Sequence, residues 1–399
     1  MILFYMGIII LTGLLFSKIT KALRLPNVTG YLVGGLLIGP IFSLWGWKLF
    51  PESIIEELGI IPKIALGFIA FTIGTEFKLS YFKRVGAKPI IIAAFESLFA
   101  ILAVFIVLIL MKVEIKFALV LSSIAAATAP AATLMVIKQY RAKGEVTENL
   151  MSVVAIDDAT AIIFFGIFVA IAQAIGSQSG SLGWMIAKPF VEIISSLAIG
   201  FLFGIVLSLL LKWFTGRSNR ISVIVALLFI VVAMADITKS WFPDFDFSTL
   251  LACMMIGAVF TNTTSGEEMN TIMYLVDRYV PPIFILFFVI SGIDLNLTVL
   301  TTVGIIGTVY VIMRVVGKVG GAYLGAVVAK SSHAVRKYLG WALVPQAGVA
   351  IGLTVVASSV VPHYAQEIRA VVLTATLIYE LAGPLITKTV LKRAKEIAE

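Results

Sequence analysis

Two aspartates stand side by side, Asp157-Asp158, inside the apolar run Val153 to Phe165. A charge near the middle of a bilayer costs about 3 kcal/mol or more, so two adjacent carboxylates in such a run need a partner cation, protons or bound metal ions. Neighbouring side chains on a helix point about 100° apart, so the pair divides its work: one can face a fixed partner while the other faces a cavity. Arg314, in Tyr310 to Lys318, is the matching cation, with Lys318 one turn further on. Pairing Arg314 with Asp157 or Asp158 would lower both costs; the alternative is that Arg314 or Lys318 snorkels to an interface. Glu96 and Glu380 also fall in apolar runs, either as ion-pair partners of Arg314 and Lys318, as helix-dipole compensators or as protonated structural carboxyls.

Two proline-containing stretches accompany these charges: Ala127-Thr128-Ala129-Pro130-Ala131-Ala132-Thr133, and Val344-Pro345-Gln346-Ala347-Gly348-Val349. Proline removes a backbone donor and crowds the preceding turn, so Pro130 and Pro345 predict interrupted helices, with Gln346 and Gly348 in the second break. Half-helix ends would offer carbonyl oxygens to a cation, and Thr128 or Thr133 a hydroxyl. Taken singly, either stretch is equally an ordinary proline kink.

The elements that must hold these residues follow from composition. The chain has 399 residues, 60% hydrophobic and 13% charged, with a mean hydropathy of +1.07, against about 25% charged in a soluble domain. A soluble globule is excluded, and an all-α polytopic membrane protein is expected. Apolar runs predict thirteen spans: 2–17, 29–45, 60–77, 86–111, 114–138, 147–175, 187–213, 219–236, 247–262, 279–293, 299–329, 339–360 and 367–391. Lys18, Lys21, Lys78, Lys138, Arg141, Lys143, Arg217, Arg220, Arg336 and Lys337 fall in one alternate set of loops and span ends, which puts the C-terminus inside and the N-terminus outside. The net charge of +8 is then topological and needs no nucleic acid.

Met1 to Phe16 lacks a basic leader, so the first span is expected to stay, and the short basic tail after Leu391 leaves no room for a cytosolic nucleotide-binding domain. The single Cys253 excludes a disulfide framework, and His333 and His363, read as solvated loop residues, make a histidine metal centre poor chemistry. No cofactor is expected.

Internal echoes join Gly74-Thr75-Glu76 to Gly292-Ile293-Asp294, and Ala118-Leu119-Val120 to Ala342-Leu343-Val344; Glu96 and Arg314 lie twenty residues beyond Glu76 and Asp294. An offset of seven spans reverses orientation, so spans 4–6 and 11–13 would be inverted repeats.

The stretch Ala127 to Val136, the Lys138 to Gly144 loop and Val154-Ala155-Ile156-Asp157-Asp158-Ala159 together resemble the monovalent cation:proton antiporter superfamily, nearest its second type, the NapA-like and Kef-like bacterial exchangers. The resemblance implies a homodimer in a bacterial or archaeal cytoplasmic (inner) membrane, surrounded by lipid, with two crossed, unwound helices in spans 5 and 12. It implies a dimerisation part at 1–85 and 219–298, an ion-transporting core at 86–175 and 299–391, and a linker helix at 187–213. Carried over by position, Asp158 would bind the cation or the proton and Asp157 would pair with the base of span 11, where Arg314 stands in place of a lysine. Both aspartates are then candidate ligands of a transported metal ion.

The function expected is exchange of Na⁺ or Li⁺ for H⁺ at that carboxylate site by elevator-type alternating access, because an empty buried anion cannot cheaply cross the barrier. K⁺/H⁺ exchange of the Kef-like type is the alternative; a cation channel would need a carbonyl filter or rings of charge, which do not stand out. An enzyme is not expected, since no His cluster, activated nucleophile or phosphate-binding loop is evident.

Overall fold

A computed structural model describes residues 1–22, 27–44, 46, 49–75, 77–80, 86–129, 133–134, 136–137, 140–175, 182–241, 247–294, 304–346 and 348–397. Glu76, Pro130 and Ala347 lie outside them. The described residues form helices and no strand. In chain order these are α1 (Ile2–Ala22), α2 (Asn27–Leu36), α3 (Ile60–Thr75), α4 (Ala87–Leu110), α5 (Ile115–Ile124), α6 (Glu145–Ala174), α7 (Leu182–Trp213), α8 (Arg217–Trp241), α9 (Thr249–Thr263), α10 (Gly266–Tyr279), α11 (Pro281–Ile293), α12 (Gly304–Val328), α13 (His333–Ala342), α14 (Gly348–Val360) and α15 (Ala365–Arg393). Short helical turns at Phe42–Leu44 and Glu52–Glu57 add to these.

Each expected span contains helix, and among the described residues eight helices are long and apolar enough to cross a membrane, nine if the bent pair α10–α11 counts as one. Exposed leucines such as Leu3, Leu11 and Leu15 on α1 suit a lipid solvent, where an apolar surface carries no penalty. Two departures from the sequence reading are local. His333, expected in a loop, is the first residue of α13, whose cap is the Ser332 hydroxyl accepting from Val335 N–H. The polar stretch after span 9 forms the amphipathic helix α10, started by Ser265 with Glu267 and Glu268 in the first turn and closed by Arg278. A span search by hydropathy overlooks both, because their helicity comes from caps and one apolar face.

The chain divides into two compact units. One comprises Gly59–Arg84 and Gln173–Phe284. In it α9 packs against both α3 and α7, and Arg220 on α8 pairs with Glu268 on α10 at 2.6 Å. The other comprises Met1–Leu58, Val85–Ala172 and Ile285–Glu399 and holds all the candidate site residues. In it α4 packs closely against α12. Gly317 and Gly321 make that approach possible: a Cβ there would stand 2.5 Å from the Phe99 carbonyl oxygen and 2.6 Å from that of Phe95. Small residues let two backbones touch where apolar side chains gain nothing over lipid, and this contact fixes the buried bases of α12 against the acid of α4.

Candidate functional site

Both expected breaks are present. α5 ends at Ile124 and the chain runs non-helically through Ala125 to Ala129; α13 ends at Ala342 and Leu343 to Gln346 are non-helical before α14 resumes at Gly348. The two breaks touch. Ala129 N–H donates to the Pro345 carbonyl at 2.9 Å, Gln346 Nε2 to the Ile124 carbonyl at 3.1 Å, and the Thr133 hydroxyl to the Ala342 carbonyl at 3.1 Å. Thr133 thus ties one broken helix to the other.

A helix end leaves carbonyls without intrahelical partners and carries partial negative charge. At this crossing Arg314 answers both ends. Its Nε donates to the Ala125 carbonyl at 3.0 Å, Nη1 to Val344 at 2.6 Å, and Nη2 to Ala127 at 2.6 Å and Pro345 at 3.4 Å. The Tyr379 ring lies under the guanidinium, 4.6 Å from its carbon. This corrects the expected pairing of Arg314 with an aspartate: five fixed donors in a planar fork suit a ring of carbonyls, and the cation those carbonyls hold is the protein's own.

Lys318 is the base that meets the aspartates. Its Nζ lies 2.7 and 3.0 Å from the two Glu96 oxygens, 2.6 Å from the Thr128 hydroxyl and 3.4 Å from Asp157 Oδ2. An ammonium has three N–H bonds, and Glu96, Thr128 and Asp157 take them. Thr128 in turn donates to Asp157 Oδ2, and Ser97 donates to Asp157 Oδ1 at 3.1 Å. Ser97 also lies 3.1 Å from the Thr160 hydroxyl. Glu96, Asp157, Arg314 and Lys318 are all fully buried, so one ammonium faces two carboxylates while the guanidinium faces the carbonyls. Neither base snorkels.

Asp158, the next residue on α6, is half-buried, while Asp157 is wholly enclosed. The 100° turn between neighbours produces that split. Glu380 lies apart from both bases: it accepts a hydrogen bond from Thr29 at 2.9 Å. Gly383, one turn on, abuts Pro345 of the second break.

Sequence reasoning overlooked Ser97, Tyr310 and Tyr379. Tyr310, fully buried, accepts from Gln346 Nε2 at 3.0 Å. Each had a usable signal: Ser97 follows Glu96, Tyr310 lies one helical turn before Arg314, and Tyr379 precedes Glu380.

A family model described as "Sodium/hydrogen exchanger, transmembrane" matches residues 7–393. Two structures of the sodium proton antiporter MjNhaP1 from Methanocaldococcus jannaschii share the fold. The one at pH 8 superposes with a TM-score of 0.79 at 18% identity, covering 100% of this chain and 98% of that one. The other, an electron-microscopy map, gives 0.73 at 19% identity over the same shares. No curated protein matches the sequence.

Proposed function

The chain belongs to the transmembrane sodium/hydrogen exchanger family, and from that premise we propose that it exchanges Na⁺ or Li⁺ for H⁺ at Asp158, with Asp157 as the fixed neighbour. The observation that carries this reading is the division of the acid pair: Asp157 is enclosed by Lys318, Thr128 and Ser97, while Asp158 is half-buried. A hard monovalent cation or a proton can each neutralise a half-buried carboxylate, and only a neutralised site crosses a low-dielectric barrier cheaply. Competition for one oxygen site then couples the two flows.

The geometry also bears on stoichiometry. Lys318 lies 2.7 Å from Glu96 and 3.4 Å from Asp157, so its charge is compensated by fixed carboxylates while Asp158 exchanges. With Asp158 as the single exchanging site, exchange is one for one.

In this reading residues 86–175 and 299–391 form the mobile core of an elevator and 1–85 with 219–298 the dimerisation part, joined through the helix at 187–213. Glu96, Thr128, Asp157, Asp158, Arg314 and Lys318 all fall in the first group, which supports it. The working form would be a homodimer in the cytoplasmic membrane, N-terminus outside. K⁺ is the competing cargo, because oxygen ligands alone do not set cavity size.

Flux in proteoliposomes with Na⁺, Li⁺ and K⁺, with and without an imposed potential, is the test. Cation-dependent proton flux with Na⁺ and Li⁺, abolished by Asp158→Asn, is expected. Retained exchange in that variant would refute the assignment, and flux with K⁺ alone would make the protein a K⁺/H⁺ exchanger.

A further inference from the structure

The helix that carries the acid pair begins without a cap of its own. The Glu148 N–H donates to the Gly144 carbonyl at 3.0 Å, which makes Gly144 the cap residue of α6, and glycine has no side chain to answer the free N–H groups of the first turn. Those groups are answered from the far end of the chain. Glu396 Oε1 accepts from Val146 N–H at 2.7 Å, and Oε2 from both Thr147 N–H and the Thr147 hydroxyl, each at 2.7 Å. Val146 and Thr147 are the second and third residues of α6, whose N–H groups a capping side chain normally serves. The Lys143 N–H adds a bond to the Glu396 carbonyl at 3.0 Å. A carboxylate at a helix N-terminus is also favoured by the helix dipole.

The seat is shaped on both sides. α15 ends in a left-handed turn at Lys395 (φ +62°), with Lys395 N–H bonded to the Lys392 carbonyl and Glu396 N–H to that of Leu391, and this turn swings Glu396 back toward α6. On the other side, a Cβ at position 144 would collide with the Glu396 carboxyl, so Gly144 leaves the space that the carboxylate fills. Val146 and Thr147 are buried beneath it.

We propose that Glu396 is a positioning residue for ion exchange: a cap supplied in trans that fastens the start of α6, and with it the placing of Asp157 and Asp158, to the end of α15. Asp157 lies ten residues beyond Thr147 on α6, about 15 Å from the clasp along the axis, so Glu396 touches no ion at the acid pair. Its effect runs through two helices that both reach the crossing, since α15 brings Tyr379 under Arg314 and Gly383 against Pro345. With the clasp closed, α6 and α15 meet the crossed breaks in one register. With it open, the first turn of α6 frays and the acid pair loses its fixed setting against Lys318 and Thr128.

This inference rests on the exchange reading above, and its test separates the two. The full chain and its Glu396→Ala and Glu396→Gln variants are reconstituted in liposomes for Na⁺-driven proton flux across a pH series, and deuterium uptake is followed over residues 144–152. Glu396→Ala is expected to raise uptake in that segment and to raise the apparent KM for Na⁺ about fivefold, the equilibrium weight of one helix cap, with maximal flux per folded protein within about twofold of wild type. Glu396→Gln, which keeps one acceptor oxygen, should fall between, and serves alone if the alanine variant does not fold. A structural role only would lower the amount of folded protein and leave KM and pH profile where they are. That result, or unchanged uptake, overturns the proposal. A wild-type protein silent toward every alkali cation would fell the exchange reading instead, and uptake would still judge the clasp.

Discussion

At the scale of single residues the site separates holding from exchanging. Lys318, Glu96, Thr128 and Asp157 saturate one another, and removing one member of so dry a set exposes its partners. Lys318→Met leaves Glu96 and Asp157 confronting each other and should cost about 3–5 kcal/mol of stability, read as a lowered melting temperature in detergent. Adding Glu96→Gln to it should recover part of that loss, since the second change removes one of the two unpaired charges; an additive double variant would argue against direct coupling. Arg314→Leu strips partners from the carbonyls of Ala125, Ala127, Val344 and Pro345, each worth about 1–3 kcal/mol when left bare, so little folded protein should accumulate. The pH dependence has a definite sign. If protons and Na⁺ compete for Asp158 as proposed, falling pH raises the apparent KM for Na⁺, toward about tenfold per unit in the fully competitive limit. A KM independent of pH would separate the two binding events.

At the scale of elements, α12 illustrates how backbone approach governs side-chain chemistry. Arg314 and Lys318 reach different partners although they lie one turn apart on one helix, because the α4 backbone presses against Gly317 and Gly321 and brings Glu96 to Lys318. Gly317→Ala drives a methyl group into the Phe99 carbonyl and should destabilise by about 1–3 kcal/mol, whereas Gly320→Ala, with open space before it, should leave the melting temperature close to wild type. Equal effects would place the close contact elsewhere. The broken helices follow the same logic: their cost in unpaired carbonyls is offset by the guanidinium of Arg314.

At the scale of the whole molecule the proposed elevator makes two demands. One-for-one exchange predicts flux insensitive to an imposed membrane potential, and voltage-driven acceleration would mean that each cycle carries net charge. The second demand concerns contacts between the proposed core and its counterpart. Arg369 at the start of α15 pairs with Asp294 at the end of α11, and Glu380, three turns along α15, bonds Thr29 on α2. All four residues lie in one compact unit, so motion along the proposed boundary would have to break both. In a background with Cys253, the single native cysteine, replaced by Ser, a short thiol cross-link between Asp294→Cys and Arg369→Cys should arrest exchange, and reduction of a cleavable linker should restore it. Undiminished flux through the cross-linked protein would mean these residues travel together.

The amino-acid sequence by itself determined the class of molecule and the cast of the site. Hydrophobic run lengths demand helices in lipid, and charges are so costly there that Asp157, Asp158, Arg314, Lys318 and Glu96 declare themselves by position alone. Pro130 and Pro345 pointed to interrupted helices at both places, though either alone reads as an ordinary kink, because a proline's effect on its own backbone is local. The tertiary structure decided who partners whom. Arg314 and Lys318 look interchangeable along the chain, and only the crossing of the two breaks, with the close seating of α12 on α4, gives the carbonyls to one and the carboxylates to the other. Glu396 is the sharper case: it sits in a charged tail that reads as solvated, and its place at the start of α6 depends on a contact spanning some 250 residues. Pairings over such separations depend on how whole helices pack, which no local pattern of residues encodes.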